Sequence, residues 1–136
     1  MGHYAKVVDQ VVTQVIVANS EFMATYDDGT GVGKWIKTSY NTKGGIHYEP
    51  GSNYTVVSED QSKALRYNFA SKGNLYDEEA DAFYRARDAE SQVLNTDTYL
   101  WEPPFPAPDD GKEYYWSEAH WIADNTTGWV EDVEPE

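Results

Sequence analysis

The sequence predicts a mainly β protein: a small antiparallel sheet, a sandwich or a barrel, with one short helix near residues 20–26 and an extended segment at 103–108. Residues 11–18 are rich in β-branched side chains, which favours a strand. The second half alternates short aromatic segments with turns of Asp, Glu and Asn, a pattern typical of hairpins. Four prolines between residues 103 and 108 exclude a central strand there and favour an extended or polyproline II conformation.

The first elements are a hairpin and the helix. Residues 3–8 and 11–18 are predicted as two strands joined at Asp9-Gln10, although this join lacks the Asn-Gly or Asp-Gly pair of the favoured hairpin turns. Asn19-Ser20 is a suitable N-cap for the helix that follows. The helix is expected to end at the Gly-containing loop after residue 26.

The remaining elements are short segments between turns. We predict strands, two pairs of which form hairpins, at residues 34–40, 75–76 with 82–84, 92–94 with 99–102, 113–118 and 129–131. Residues 64–70 fit a strand and a short helix equally well. We expect a single β-rich domain over residues 1–131, divisible into a near-neutral part (1–70) and acidic aromatic hairpins (71–131), followed by an acidic tail at 132–136.

Composition excludes several classes of protein. The chain has 136 residues, a formal net charge of -14 and no cysteine. Binding to nucleic acid through a basic face is excluded, because phosphate contacts need Lys and Arg. Disulfides and thiolate metal sites are impossible. No stretch is apolar enough to span a membrane, and the polar N-terminus does not read as a signal peptide.

The charge is concentrated in the second half. Residues 1–68 contain six basic and seven acidic residues, a net charge of -1, whereas residues 69–136 contain four basic and 17 acidic residues, a net charge of -13. Four of the five tryptophans also lie in this acidic half. We therefore expect the rings to be buried or docked, while the carboxylates face water or a basic partner.

One segment has the spacing of a calcium loop. Asp77, Glu79 and Asp81 occupy its first, third and fifth positions, and Asp88 its twelfth. The sixth position, where the loop needs glycine, is Ala82. A hairpin turn with solvated carboxylates is therefore the favoured interpretation, and these three residues are weak metal candidates only.

No catalytic constellation emerges from the sequence. The three histidines, His3, His47 and His120, have no metal-binding spacing. Glu118, two residues before His120, would face the same side if this segment were a strand, but a general base or a metal ligand needs more partners than that. A glycosidase-like carboxylate pair needs a cleft that sequence alone does not show. We therefore expect a non-enzymatic protein without cofactors.

The positive signals are those of assembly. Aromatic and proline-rich surface segments point to interfaces with other proteins, and exposed Trp or Tyr rings also suit stacking on sugars. The candidate interface residues are Trp101, Pro103, Pro104, Phe105, Trp116, Trp121 and Trp129.

Several segments resemble a family of small proteins of marine tailed phages, especially cyanophages. The most specific match is Trp35-Ile36-Lys37-Thr38-Ser39-Tyr40-Asn41-Thr42-Lys43-Gly44-Gly45-Ile46-His47-Tyr48. Further matches, which extend the similarity over nearly the whole chain, are residues 6–8 with 11 and 15–18, 64–70, 76–77 with 81–83, 94–95 with 101–103, and 110–112 with 115–116. The chain departs from the family at residues 84–92, where the family usually has a proline-rich stretch and a Trp.

The resemblance implies a virion component, assembled in the host cytoplasm, and supplies no catalytic residues. We expect a capsid decoration or cement protein on the particle exterior, in many copies or as a homo-oligomer, with the major capsid protein or other virion proteins as partners. Two alternatives stay open: a tail or tail-fibre-associated protein, and a carbohydrate-binding adhesin module that uses exposed Trp or Tyr to bind a glycan. A small carboxylate enzyme is a third, weaker alternative.

Overall fold

The computed structural model describes residues 2–133 and is mainly β, with 33% strand and 9% helix. The strands and helices are β1 (Gly2–Val8), β2 (Val11–Ala18), α1 (Ser20–Thr25), β3 (Lys34–Thr38), β4 (Thr42–Lys43), β5 (Ile46–His47), β6 (Leu75–Asp77), β7 (Ala82–Tyr84), β8 (Val93–Asn95), β9 (Leu100–Glu102), β10 (Tyr114–Trp116), α2 (Glu118–Ala123) and β11 (Trp129–Glu131). The predicted fold class is confirmed.

The chain forms two compact units. The first unit comprises the described residues up to Ala86 together with Asn95–Leu100, and the second comprises Arg87–Leu94 and the described residues from Trp101 onward. Residue 70, at which the sequence suggested a subdivision, lies inside the first unit. The predicted acidic tail at 132–136 lies largely outside the described residues.

A curled antiparallel sheet of five strands, in the order β3-β1-β2-β6-β7, dominates the first unit and forms a half-barrel. The β1–β2 hairpin turns at Asp9 and Gln10, whose φ angles are 50° and 69°. Positive φ angles at both turn residues match the twist of the two strands, and here the turn adopts them although neither residue is glycine. Its register shifts by one residue between Lys6 and Val7, which is a β-bulge.

The core of the first unit lies on one face of this sheet. Its buried residues are Ala5, Val7, Val12, Ala70, Tyr76 and Phe83. Phe83 is fully buried and its ring centroid lies 4.8 Å from that of Tyr76. Alternation alone brings Ala5 and Val7 to this face, since neighbouring residues of a strand point to opposite sides.

The opposite face of β1 is also covered, so a lysine is buried there. Lys6, 6% exposed, forms an ion pair with Asp28 and donates a hydrogen bond of 2.7 Å to Thr30 Oγ1. These partners lie in the loop after α1, and Tyr26 in the same segment packs against Trp35 of β3. The segment following α1 therefore closes the second face of the sheet around a neutralised charge.

The N-cap of α1 is confirmed, because Asn19 Oδ1 accepts a hydrogen bond of 2.7 Å from Phe22 N. The prediction of a single helix was incomplete. Residues 118–123 form α2, which is capped by the Ser117 side chain; the predicted strand at 113–118 is shorter, at 114–116. A six-residue helix covers fewer than two turns, so its periodicity is too short to distinguish it from a strand.

A hairpin replaces the predicted break at residues 41–45. Gly44 and Gly45, with φ angles of 61° and 85°, form the turn between β4 and β5. Residues 64–70, for which strand and helix were equally suitable, form neither and consist of irregular turns. Residues 103–108 contain no helix or strand, as expected for their prolines.

In the second unit, β10 pairs with β11 in antiparallel register, with Trp116 opposite Trp129. The two hairpins predicted at 75–84 and 92–102 are present as β6–β7 and as the paired strands β8 and β9.

Candidate functional site

An exposed aromatic patch lies on the segment between β3 and the irregular turns at residue 60. We define the aromatic patch as Tyr40, Tyr48, Tyr54, Val56 and Val57. All except the half-buried Tyr48 are exposed large apolar side chains. The segment is held by its own backbone: Tyr48 pairs with Val57 in an isolated bridge, and Glu49 N donates to Val56 O at 2.7 Å. An ordered segment of backbone therefore presents these exposed side chains.

Tyr40 presents the most open ring of the patch. Its side chain is 59% exposed although its ring stacks on His3, with centroids 5.8 Å apart and an angle of 25° between planes. Phe69 meets the same ring edge-on at 5.2 Å. Although His3 and Phe69 both contact the ring, more than half of Tyr40 is exposed and available to a partner.

Tyr54 lies beside Tyr40 in an unusual backbone conformation. Asn53 and Tyr54 both have positive φ angles, 54° and 59°, which is rare for consecutive residues other than glycine. The Tyr54 hydroxyl donates to Tyr40 O at 3.3 Å, its ring meets Tyr48 edge-on at 5.7 Å, and Lys43 Nζ lies 5.5 Å from its centroid. The surrounding contacts hold this ring beside Tyr40.

Two clefts adjoin the patch and share Tyr40 and Asn41 in their lining. The smaller, about 240 Å³, is lined by Tyr40, Asn41, Gly51, Asn53 and Tyr54. The larger, about 910 Å³, also has charged lining residues of both signs, namely Lys37, Glu49, Glu59, Asp60 and Lys63. The mixed charges give this surface no strong preference for anionic or cationic partners.

Hydrogen bonds to structural partners occupy the polar groups beneath the larger cleft. His47 is buried and its Nδ1 lies 2.8 Å from Ser58 Oγ, while Gln61 Oε1 accepts from His47 N and Gln61 Nε2 donates to His47 O. Hydrogen bonds from the Ser62 hydroxyl and backbone amide lower the pKa of Asp60. Throughout residues 2–133, no buried side-chain nitrogen or oxygen lacks a partner.

Three of the interface residues nominated from sequence form a cluster within the second unit. The Trp116 ring lies edge-on to Phe105 at 5.4 Å and to Trp129 at 5.3 Å. Trp129 Nε1 donates to Phe105 O at 3.0 Å, and Trp116 Nε1 donates to Ser91 Oγ and Glu118 Oε1. All three rings are half-buried, so Trp116 and Trp129 are not open platforms for a sugar.

The other nominated interface residues are distributed between partly buried and exposed positions. Trp101, Pro103 and Trp121 are half-buried, and Pro104 is exposed. Their role as contacts stays a prediction. The carboxylates of the same half face outward as expected: among residues 69–133, those other than Asp77, Asp81 and Glu118 are exposed.

The calcium-loop candidates have other partners. Asp81 pairs with Arg66 and accepts a hydrogen bond from the Tyr76 hydroxyl. Asp77 accepts from Ala80 N at 3.1 Å and from the Tyr99 hydroxyl at 3.4 Å, as befits a hairpin turn. Within the part of the chain that the structure describes, no group of three or more His, Asp or Glu residues is arranged to hold a metal ion.

The titratable groups with shifted pKa values belong to the scaffold. Burial, aided by the carboxylate of Asp81, raises the pKa of Tyr76 to about 12. Hydrogen bonds from Ser91 and Trp116 lower the pKa of Glu118. His120 lies on α2 with its Nδ1 2.6 Å from Ser117 Oγ, and Glu118 lies on the same helix, so the two residues do not share one side of a strand.

A comparison with protein families, with curated proteins and with solved structures finds no match to this chain. Among residues 2–133, neither helix is long and apolar enough to cross a membrane.

Sequence reasoning missed the aromatic patch because it favoured tryptophan. Trp side chains are large and mostly buried, whereas a Tyr hydroxyl is easily accommodated at a surface. A usable signal was present: Tyr40, Tyr48, Tyr54, Val56 and Val57 lie within 18 residues that carry no predicted strand after residue 40. Such a density of apolar side chains in a loop indicates either a local core or an exposed contact surface.

Proposed function

We propose that the chain is a non-enzymatic structural protein of a phage virion, a decoration or cement protein on the capsid exterior, that docks on its neighbours through the aromatic patch. The observation that carries the proposal is that Tyr40, Tyr54, Val56 and Val57 are all exposed on one segment whose backbone is hydrogen-bonded. Several exposed large apolar side chains on one short segment favour an interaction site, and here Tyr40 and Tyr54 are in direct contact. Tyr is also among the residues that contribute most to interfaces, since its rigid ring loses little entropy on binding.

The charge distribution supports docking through the first unit. The patch lies in the near-neutral part of the sequence, and the excess acid lies beyond residue 68, with its carboxylates mostly exposed. In seawater, at about 0.7 M salt, the Debye length is roughly 4 Å, so these carboxylates repel little beyond contact. Repetition on a lattice then strengthens weak single contacts through effective concentration.

The first experiment asks whether the protein belongs to the particle. Quantitative mass spectrometry of purified virions is expected to find it in many copies per particle. Abundant protein in infected cells together with its absence from virions would contradict the proposal.

The second experiment tests the docking surface with matched tyrosines. Tyr40→Ser removes an open ring of the patch, and Tyr115→Ser removes a ring of similar exposure, 52%, from β10. We expect Tyr40→Ser to weaken binding to particles that lack the protein by about tenfold, and Tyr115→Ser to leave it nearly unchanged. Equal losses for both variants would show that the patch is not the docking surface.

A glycan-binding adhesin is the second candidate function. Both the structural protein and the adhesin could belong to the tail or a tail fibre instead of the capsid. The observation that favours it is the lining of the smaller cleft, which includes Asn41 and Asn53 together with Tyr40 and Tyr54. Aromatic faces stack on sugar rings and amides bond to hydroxyls, so this cleft replaces the tryptophans as the stacking site. A glycan array with Tyr40→Ser as control decides: binding that this variant abolishes supports the adhesin, and no binding removes it.

A further inference from the structure

A second cavity lies at one end of the half-barrel and is unrelated to the aromatic patch. It has a volume of about 660 Å³, within the range of ligand-binding pockets. Its buried or half-buried lining residues are Val7, Ile36 and Tyr76, and its exposed ones are Asp9, Gln10, Gly33, Lys34 and Glu78. The cavity therefore has a largely apolar floor and a polar rim.

Gly33 forms one wall of the cavity, where its backbone lies close against Val7 and Val8 of β1. A β-carbon at this position would lie 2.7 Å from Val8 Cγ2 and 2.9 Å from Val7 O, and the φ angle is +82°. No other residue fits without displacing this wall from β1. The rim turn at Asp9-Gln10 has a defined left-handed geometry, so the mouth is bounded by ordered backbone on both sides.

The rim has an excess of negative charge. Asp9 and Glu78 line the cavity, and an adjoining cleft that shares Gln10, Tyr76 and Glu78 adds Asp77 and Glu79. Within residues 2–133, the lining of the two spaces includes a single cation, Lys34.

Lys34 offsets this charge only weakly. Its Nζ lies 3.0 Å from Glu78 Oε1, and the two side chains are 74% and 70% exposed. Exposed ion pairs of this kind contribute little to stability, so an incoming cation can take the place of Lys34 beside Glu78.

We propose that this cavity binds a polypeptide segment of a partner protein in which a large apolar side chain is followed by Lys or Arg. The apolar side chain enters the cavity over Val7, Ile36 and Tyr76, and the cation lies at the rim beside Asp9 and Glu78. Charge complementarity selects this occupant, because an acidic or neutral segment gains nothing from the four carboxylates. The inference does not rest on a virion location, and it concerns a different surface from the aromatic patch.

The test uses three capped dipeptides that differ in one charge: acetyl-Trp-Lys-amide, acetyl-Trp-Gln-amide and acetyl-Trp-Glu-amide. Each is titrated into the ¹⁵N-labelled full chain, and the amide resonances of Val7, Gly33, Ile36 and Tyr76 are followed. We expect these resonances to shift, with the Lys peptide binding about three- to fivefold more tightly than the Gln peptide and the Glu peptide weakest. Equal affinities, shifts confined to other residues, or no shifts up to about 10 mM peptide would each overturn the proposal.

Two variants with the same change of charge separate a local from a general effect. Glu78→Gln removes a rim carboxylate, and Glu21→Gln removes an exposed one from α1. Glu78→Gln is expected to abolish most of the preference for the Lys peptide, and Glu21→Gln to preserve it. If both variants lose the preference equally, the long-range charge of the chain rather than the cavity is responsible, and the assignment to this site is wrong.

A change in the floor tests the apolar part. Ile36→Ala is expected to weaken all three peptides alike while the preference for Lys persists, with the remaining amide resonances showing that the fold is intact. Unchanged affinities in a folded Ile36→Ala protein would show that the peptides bind outside the cavity.

Discussion

Replacing Gly128 by alanine tests whether the Trp116 cluster holds the second unit together. An added β-carbon would lie 2.8 Å from Trp116 Cζ2 and closer still to Cη2 and Cζ3. The ring has little freedom to move away, because its Nε1 donates to Ser91 and Glu118 and its edges meet Phe105 and Trp129. The φ angle of +155° is, in addition, one that residues with a β-carbon rarely adopt.

The expected loss of stability combines two costs. Overpacking against a held ring costs about 1–3 kcal/mol. The backbone conformation costs about a further 1–2 kcal/mol. We therefore expect Gly128→Ala to lower the free energy of unfolding by about 2–5 kcal/mol.

Gly111→Ala is the matched control, since Gly111 has a φ angle of +79° and no atom within 4 Å of its added β-carbon. This control has a positive-φ backbone cost of its own but no ring clash, so we expect a loss of about 1–2 kcal/mol.

Urea unfolding followed by Trp fluorescence measures these losses, because four of the five tryptophans lie in the second unit. In a double-mutant cycle, Trp116→Leu is expected to relieve most of the Gly128→Ala clash. The reasoning is refuted if Gly128→Ala costs no more than Gly111→Ala, or if it leaves the near-ultraviolet circular dichroism of the rings unchanged.

Three further predictions concern the first unit. The ion pair with Lys6, together with hydrogen bonds from Thr30, lowers the pKa of Asp28 from 3.8 to about 2. The ionised Asp28 therefore stabilises the folded protein above pH 3.8, and this contribution is lost as the pH falls toward 2. The free energy of urea unfolding should accordingly vary less with pH over this range in Asp28→Asn than in wild type. Because the pKa of Tyr76 is raised to about 12, its protonated hydroxyl stabilises the folded protein below pH 10, and this contribution is lost as the pH rises toward 12. An absorbance titration should show one late-ionising tyrosine fewer in Tyr76→Phe than in wild type. An unchanged titration curve would contradict the burial of Tyr76. Thr38→Val leaves Ala70 N without its 3.0 Å acceptor in a buried site, and we expect a loss of about 1–3 kcal/mol in urea unfolding, against almost none for the exposed Thr13→Val.

The elements that could be predicted are those that local chemistry determines. The β-branched run of β2 and the capping of α1 by Asn19 depend on neighbouring residues alone. The β6–β7 hairpin was likewise recognisable from two apolar segments around a polar turn. In each case, the residues that give the signal also make the contacts.

Residues 64–70 show why the rest could not be predicted. Their shape is set by partners far along the chain: Ser39 N donates to Leu65 O at 2.8 Å, and Phe83 N donates to Arg66 O at 3.0 Å. Such bonds exist only once the sheet has formed, so no local propensity indicates them. The β4–β5 hairpin is similar, because strands of two residues are too short to show alternation.

Three large rings of the second half pack on one another, whereas exposed rings such as that of Tyr40 lie in the first unit's aromatic patch. Large apolar rings and abundant carboxylates suggested an interface there, yet Phe105, Trp116 and Trp129 pack on one another and most of the carboxylates face water. A small unit without disulfides must use its few large rings for its own core, so they are poor evidence for a partner. The Tyr40 ring, by contrast, is 59% exposed and lies just after β3, so most of it is left free for a partner. If the chain docks through the aromatic patch, as proposed, its affinity is expected to depend little on salt, and a steep loss of affinity with rising ionic strength would instead place the contact on the acidic half.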